Sequence, residues 1–84
     1  MYKVLIERTA ERDLKRLEKD IFYRIIPVIK KLCGNPRPPG CHKIKGSKCD
    51  WRIRISEYRI IYEIDEKAEE IHIMRVKHRK DVYK

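Results

Sequence analysis

Arg52, Arg54 and Arg59 alternate with the apolar residues Trp51, Ile53 and Ile55 on one side and Tyr58, Ile60, Tyr62 and Ile64 on the other. A period of two is the mark of strands with one buried face. If Ser56 and Glu57 form a tight loop, Ile55 stands opposite Tyr58, Arg54 opposite Arg59, Ile53 opposite Ile60, Arg52 opposite Ile61 and Trp51 opposite Tyr62. The apolar partners then share one face and the arginines the other. Like charges directly across a sheet cost about 0.2 to 1 kcal/mol, a loss that a small domain is expected to avoid unless an anion lies between them. Planar guanidiniums match phosphate oxygens, so the pair is read as a phosphate clamp. The competing expectation is that Glu63 or another acid neutralises them.

Further basic groups can join this face. Lys43 and Lys45, in the segment HKIKG, have strand parity and lead into the sheet, and KHRKDVYK places His78, Arg79 and Tyr83 just after the last strand. An aromatic ring beside cations suits single-stranded RNA, because a base stacks on the ring while the cations hold its phosphates. Plain packing is the competing role for Tyr83. Cys33, Cys41 and Cys49, with His42 beside Cys41, raise the question of a metal. They contain no C-x-x-C pair and sit in a Pro/Gly loop and its flanks, so free reduced thiols are expected, with no metal site and no cofactor.

The elements that must carry these groups are legible in outline. Tyr2, Val4 and Ile6 alternate as an opening strand. Thr9 offers an N-cap to a first helix, with Ala10, Leu14 and Leu17 on its apolar stripe. Asp20 offers a second cap, followed by Ile21, Ile25, Val28, Ile29 and Leu32 on one face. Pro27 inside that run predicts a kink or a break, and NPRPPG from Asn35 to Gly40 is the strongest loop signal. A run from Ile71 to Val76 is apolar on both parities except for His72 and Arg75, as a central strand would be. The expected fold is an α+β domain spanning residues 1–84: a short N-terminal strand, two helices, then an antiparallel β-meander with the helices packed on one face.

Lysine and arginine total 22 against 13 aspartate and glutamate, for a formal net charge of +9 on 84 residues. A self-repelling surface of this kind points to a polyanionic partner, nucleic acid or an acidic protein, over an inert solvated surface. No stretch is apolar enough to span a membrane, and MYKVLIER lacks a signal-peptide pattern, so a cytoplasmic location is expected.

The segments IKG, WRIRISEYRIIYEID and IHIMRVKHRKDVYK together resemble the RelE branch of the RelE/ParE toxin superfamily, and with the helical front half the resemblance covers essentially the whole chain. It implies a RelE-like fold and a toxin of a type II toxin–antitoxin system. Such a toxin enters the ribosomal A site and cuts messenger RNA without a metal. The RNA's own 2′-hydroxyl attacks the adjacent phosphorus, leaving a 2′,3′-cyclic phosphate. It further implies silencing in a heteromeric complex with a cognate, RelB-like antitoxin, and the net charge of +9 predicts that this partner is net-acidic.

Arg59 matches the family arginine that steadies the phosphate, Arg79 the basic residue proposed as acid or charge stabiliser, and Tyr83 the closing tyrosine. The best-studied branch carries lysines where this chain has Arg52 and Arg54, and one of them is a proposed general base. Arginine cannot fill that role, since its pKa exceeds about 12. His78 is the substitute expected on chemical grounds, with Lys45 second, while His42 and His72 are read as structural or surface residues. Two other activities fit the same features: a ParE-like toxin acting on DNA gyrase, and a non-catalytic RNA- or ribosome-binding module.

Overall fold

The computed structural model describes residues 1–47 and 49–82. Strand β1 (Lys3–Ile6) is followed by helices α1 (Arg8–Lys15) and α2 (Lys19–Lys31), strands β2 (Cys41–Lys43), β3 (Asp50–Ile55), β4 (Tyr58–Asp65) and β5 (Glu70–His78), and the short helix α3 (Arg79–Val82). The five strands form one sheet in the order β1-β5-β4-β3-β2. From β2 to β5 the pairing is the antiparallel meander that the alternation predicts, while β1 adds to β5 in parallel and makes the sheet mixed. The expected α+β fold is therefore present, with β5 held between β1 and β4.

The helices begin before the caps expected from sequence. Glu7, not Thr9, is the N-cap residue of α1, because its extended backbone (φ −68°, ψ 156°) still belongs to the strand and its N–H donates to the Ile73 carbonyl. The Thr9 hydroxyl donates instead to the Met74 carbonyl at 2.9 Å, tying α1 to β5. Glu18, not Asp20, precedes α2; Asp20 sits in the first turn, where its charge meets the positive end of the helix dipole. Leu17 lies beyond α1 but still packs on the core.

Pro27 causes no break, and α2 runs unbroken from Lys19 to Lys31. Proline removes a donor to the carbonyl four residues earlier, that of Tyr23, and both residues are exposed, so water can serve that group.

One core joins helices and sheet: Ala10 and Leu14 from α1, Ile25, Ile29 and Leu32 from α2 and its end, and Ile53, Ile60, Tyr62, Ile64, Ile71, Ile73 and Val76 from the strands. The step of three from Ile73 to Val76, both buried, would break a period of two. A β-bulge resolves this: Ile61 pairs with Arg75 and Tyr62 with Ile73, leaving Met74 extra. The ambiguous parity of the 71–76 run thus has a local cause.

Tyr62 is fully buried and donates its hydroxyl to the Pro36 carbonyl at 2.8 Å; burial, with Cys41 beside it, pushes the phenol well above its usual range. Arg37 anchors the proline-rich loop through an ion pair with Glu66 and by stacking over Trp51. No described helix is long and apolar enough to cross a membrane.

Candidate functional site

The β3–β4 hairpin closes with the two-residue loop Ser56-Glu57 and pairs in the register derived from parity: Ile55 with Tyr58, Arg54 with Arg59, Ile53 with Ile60, Arg52 with Ile61, Trp51 with Tyr62. Ser and Glu are poor residues for such a loop. The chain meets the required geometry by placing Ser56 at a φ of 53°, in the left-handed region where glycine is usual.

Because cross-strand partners share a face, Arg52, Arg54 and Arg59 stand together on the side of the sheet away from the helices. They line a surface cavity of about 550 Å³ with Gly40, His42 and Ser56. Arg52 and Arg54 are exposed and Arg59 is half-buried, with its Nη1 atom buried. Among the described residues neither Arg52 nor Arg54 has an ion-pair partner. Glu63 lies further along, across from Asp50 and His72.

Two members of this face were not picked out from sequence. His42 pairs with Arg52, so the edge strand β2 delivers an imidazole to the cavity. Lys77 pairs with Arg59, which extends the row Arg54, Arg59, Lys77 across three strands. The parity of CHK within β2 could have revealed His42; the bulge at Met74 hid the parity of Lys77.

The remaining expected residues are distributed differently. Lys43 pairs with Trp51 and so belongs to the opposite face, and Lys45 lies in the exposed turn after β2, so neither lines the cavity. His78 pairs with Tyr58, which also places it on the other face; the two rings meet edge to face at 5.1 Å, and His78 Nδ1 accepts the Lys80 N–H at 3.2 Å. It lines a neighbouring groove of about 480 Å³ with Asp13, Arg16, Tyr58 and Lys77. Arg79 is held at the hairpin loop, its N–H donating to the Glu57 carbonyl at 2.7 Å and its guanidinium 3.4 Å from the Glu57 carboxylate. Tyr83 lies outside the described residues.

Two ion-pair networks brace the sheet beside the site. Arg75 reaches over the free part of β5 to Asp13 on α1, with Nε and Nη2 at 2.9 and 3.3 Å, and Asp13 also accepts the Val76 N–H at 2.9 Å. Burial, the largest single influence, opposes ionisation of Asp13. The hydrogen bonds from Arg75 and Val76 and the charges of Arg75 and Lys77 outweigh it, holding the carboxyl below its ordinary value. His72 lies between Glu7 and Glu70, at 3.0 and 3.2 Å; the bond to Glu7 leads in raising its pKa against the effect of burial. The three cysteines are free, and among the described residues no cluster of His, Cys, Asp and Glu is placed to hold a metal ion.

The arrangement can grip a phosphodiester. Three guanidiniums supply donors around one concavity, and an imidazole lines it with them. Comparison with known proteins gives the family. A family model described as the ParE toxin of type II toxin–antitoxin systems, parDE, matches residues 4–83. Toxin RelE3 of Methanocaldococcus jannaschii is 36% identical over 86 aligned residues, covering 96% of this chain and 94% of that protein.

Among solved structures, the RelB–RelE antitoxin–toxin complex from Methanococcus jannaschii contains a chain 31% identical with a TM-score of 0.80, with 94% of each chain covered. The archaeal RelE–RelB complex from Pyrococcus horikoshii gives a TM-score of 0.82 at 28% identity, covering 93% of this chain and 94% of that one. The chain belongs to the ParE toxin family of type II toxin–antitoxin systems, and its relatives make it a RelE-type toxin.

Proposed function

We propose that this toxin is a metal-independent endoribonuclease that cuts messenger RNA in the ribosomal A site. The observation that carries the reading is the cavity walled by Arg52, Arg54 and Arg59 on the uncovered face of the sheet, where a scissile phosphate would find converging donors. Arg54 and Arg59 hold the phosphate and stabilise the charge that builds on it as the 2′-hydroxyl attacks. Arg79, at the start of α3 and held against the hairpin loop at Glu57, faces the leaving 5′-oxygen, and Tyr83 stacks on a neighbouring base. Alignment of the attacking hydroxyl supplies much of the acceleration, and the products are a 2′,3′-cyclic phosphate and a free 5′-hydroxyl.

An acidic, RelB-like antitoxin keeps the toxin silent in the cytoplasm. The RelE relatives from M. jannaschii and P. horikoshii are seen in complexes with RelB, and a chain of net charge +9 with an open arginine face favours a partner of opposite sign. It silences by covering Arg52, Arg54 and Arg59, or by dislodging the segment that carries His78, Arg79 and Tyr83.

The test is to add purified protein to programmed ribosomes and map message ends by primer extension. Cyclic phosphate ends within the A-site codon are expected, and Arg59→Ala should lower the rate by about 10² to 10³ while leaving the fold intact. Message protected without turnover would instead identify an RNA-binding module. Intact message together with poisoned gyrase would instead favour a ParE-like toxin acting on DNA gyrase.

A further inference from the structure

The ribonuclease reading leaves one role unfilled, because no arginine in the cavity can take a proton from the attacking hydroxyl. We propose that His42 is the general base of this site, accepting the proton of the 2′-hydroxyl as it attacks the scissile phosphorus. The proposal rests on the ribonuclease reading and adds a residue to it.

Three observations converge on His42. It is fixed on the arginine face by register, directly across from Arg52. It lines the same cavity as Arg52, Arg54 and Arg59, and of the six lining residues, Gly40, His42, Arg52, Arg54, Ser56 and Arg59, only the imidazole is of a type that accepts a proton near neutral pH. It is also exposed, and Gly40 beside it would have nothing within 4 Å of an added Cβ, so a nucleotide can approach from that side.

His78, favoured by sequence, is placed less well. It belongs to the other face, its ring packs on Tyr58, and its Nδ1 is engaged by the Lys80 N–H. By register the charged groups nearest His42 on this face are Arg52 opposite, with Asp50 and Arg54 on either side of it along β3; beyond them stand Arg59 and Glu63 on β4, and Lys77 and Arg75 on β5. On β2 itself His42 is the only titratable residue of that parity, Cys41 and Lys43 lying on the other.

The step balances without a cofactor. An imidazole nitrogen of His42 takes the O2′ proton, and the O2′ electron pair forms the new bond to phosphorus. The bond from phosphorus to O5′ breaks with its pair on O5′, which takes a proton from water. The hydroxide so formed takes the proton from the imidazolium, and the ring is regenerated. Arg52, across the strand, orients the same phosphate while the ring works on the sugar.

The experiment compares the full chain with His42→Gln and His42→Ala in single-turnover cleavage of ribosome-bound message as a function of pH. Binding is measured separately on message carrying a 2′-deoxynucleotide at the scissile position, which cannot be cut. Expected results are a fall in rate of about 10²-fold or more, unchanged affinity for the uncleavable message, loss of the acid-side limb of the pH–rate profile, and partial recovery of His42→Ala by added imidazole. Both variants should melt close to the parental protein, since the side chain is exposed on an edge strand. Parental cleavage with an unchanged rate or an unchanged profile in the variants would overturn the proposal alone. A loss explained wholly by weaker binding would overturn it as well. No cleavage by the parental protein would overturn the ribonuclease reading and this inference together.

Discussion

Replacing Arg54 by glutamate should make this protein more stable and nearly inactive. Arg54 stands directly across from Arg59, and Lys77 flanks Arg59 on the far side, so three like charges lie in one row. Because Arg54 is exposed, solvent and salt hold its repulsion to the ordinary range for opposed like charges, about 0.2 to 1 kcal/mol. Arg54→Gln removes that repulsion, and Arg54→Glu adds an attraction of similar size. The expected gain for Arg54→Glu is about 1 kcal/mol, or roughly 4 to 8 °C in Tm for a chain of this length. Cleavage should fall by about 10² to 10³, since a preorganised positive charge at the phosphate is replaced by a negative one.

Thermal unfolding followed by circular dichroism reads the first effect, and raising the salt concentration should shrink it. Single-turnover cleavage on programmed ribosomes reads the second. A variant that melts below the parental protein and still cuts would show the arginine pair to be structural, and the phosphate clamp would have to be abandoned.

Four other outcomes are expected. Asp13→Ala strands the Val76 N–H and releases Arg75, so it should cost about 2 to 3 kcal/mol in urea unfolding; a change within the scatter of surface substitutions would refute the bracing role. The folded pKa of Asp13 is lowered, so its contribution is present above the unfolded value and lost as pH falls through the folded one, and the gap between parental and Asp13→Asn proteins should close in acid. The pKa of His72 is raised instead, so its contribution is full below the ordinary value of 6.5 and is lost as pH rises through the higher folded one. Tm should therefore decline over that window in the parental protein and less so in His72→Gln. Association with the antitoxin, if it is acidic as proposed, should slow as salt rises while dissociation changes little, which stopped-flow mixing would check; a basic partner or a salt-independent on-rate would contradict the charge argument.

Much of the arginine face is legible in the sequence. Alternation in WRIRI and YRIIYEI sets the face of every residue in the hairpin, and a two-residue loop fixes the register. That inference depends only on the pleat, which is local and repeats every two residues. The α+β order was legible for the same reason, since each element carries its own period. Helix starts were not, because a backbone hydrogen bond from Glu7 to β5 and a hydroxyl bond from Thr9 to Met74 decided where α1 begins, and both partners lie more than sixty residues away.

What the sequence determined by itself is the local chemistry: basic charge, an arginine face, a strand period and a loop. Tertiary structure decided which distant groups meet that face. The bulge at Met74 brings Lys77 beside Arg59, the β2–β3 register brings His42 to the cavity, and the pairing of His78 with Tyr58 takes that histidine to the other side. Parity within β2 separates His42 from its neighbours, but it does not say which of them meets the arginines, because parity between strands depends on a register that hydrogen bonds and core packing settle only when the whole sheet closes.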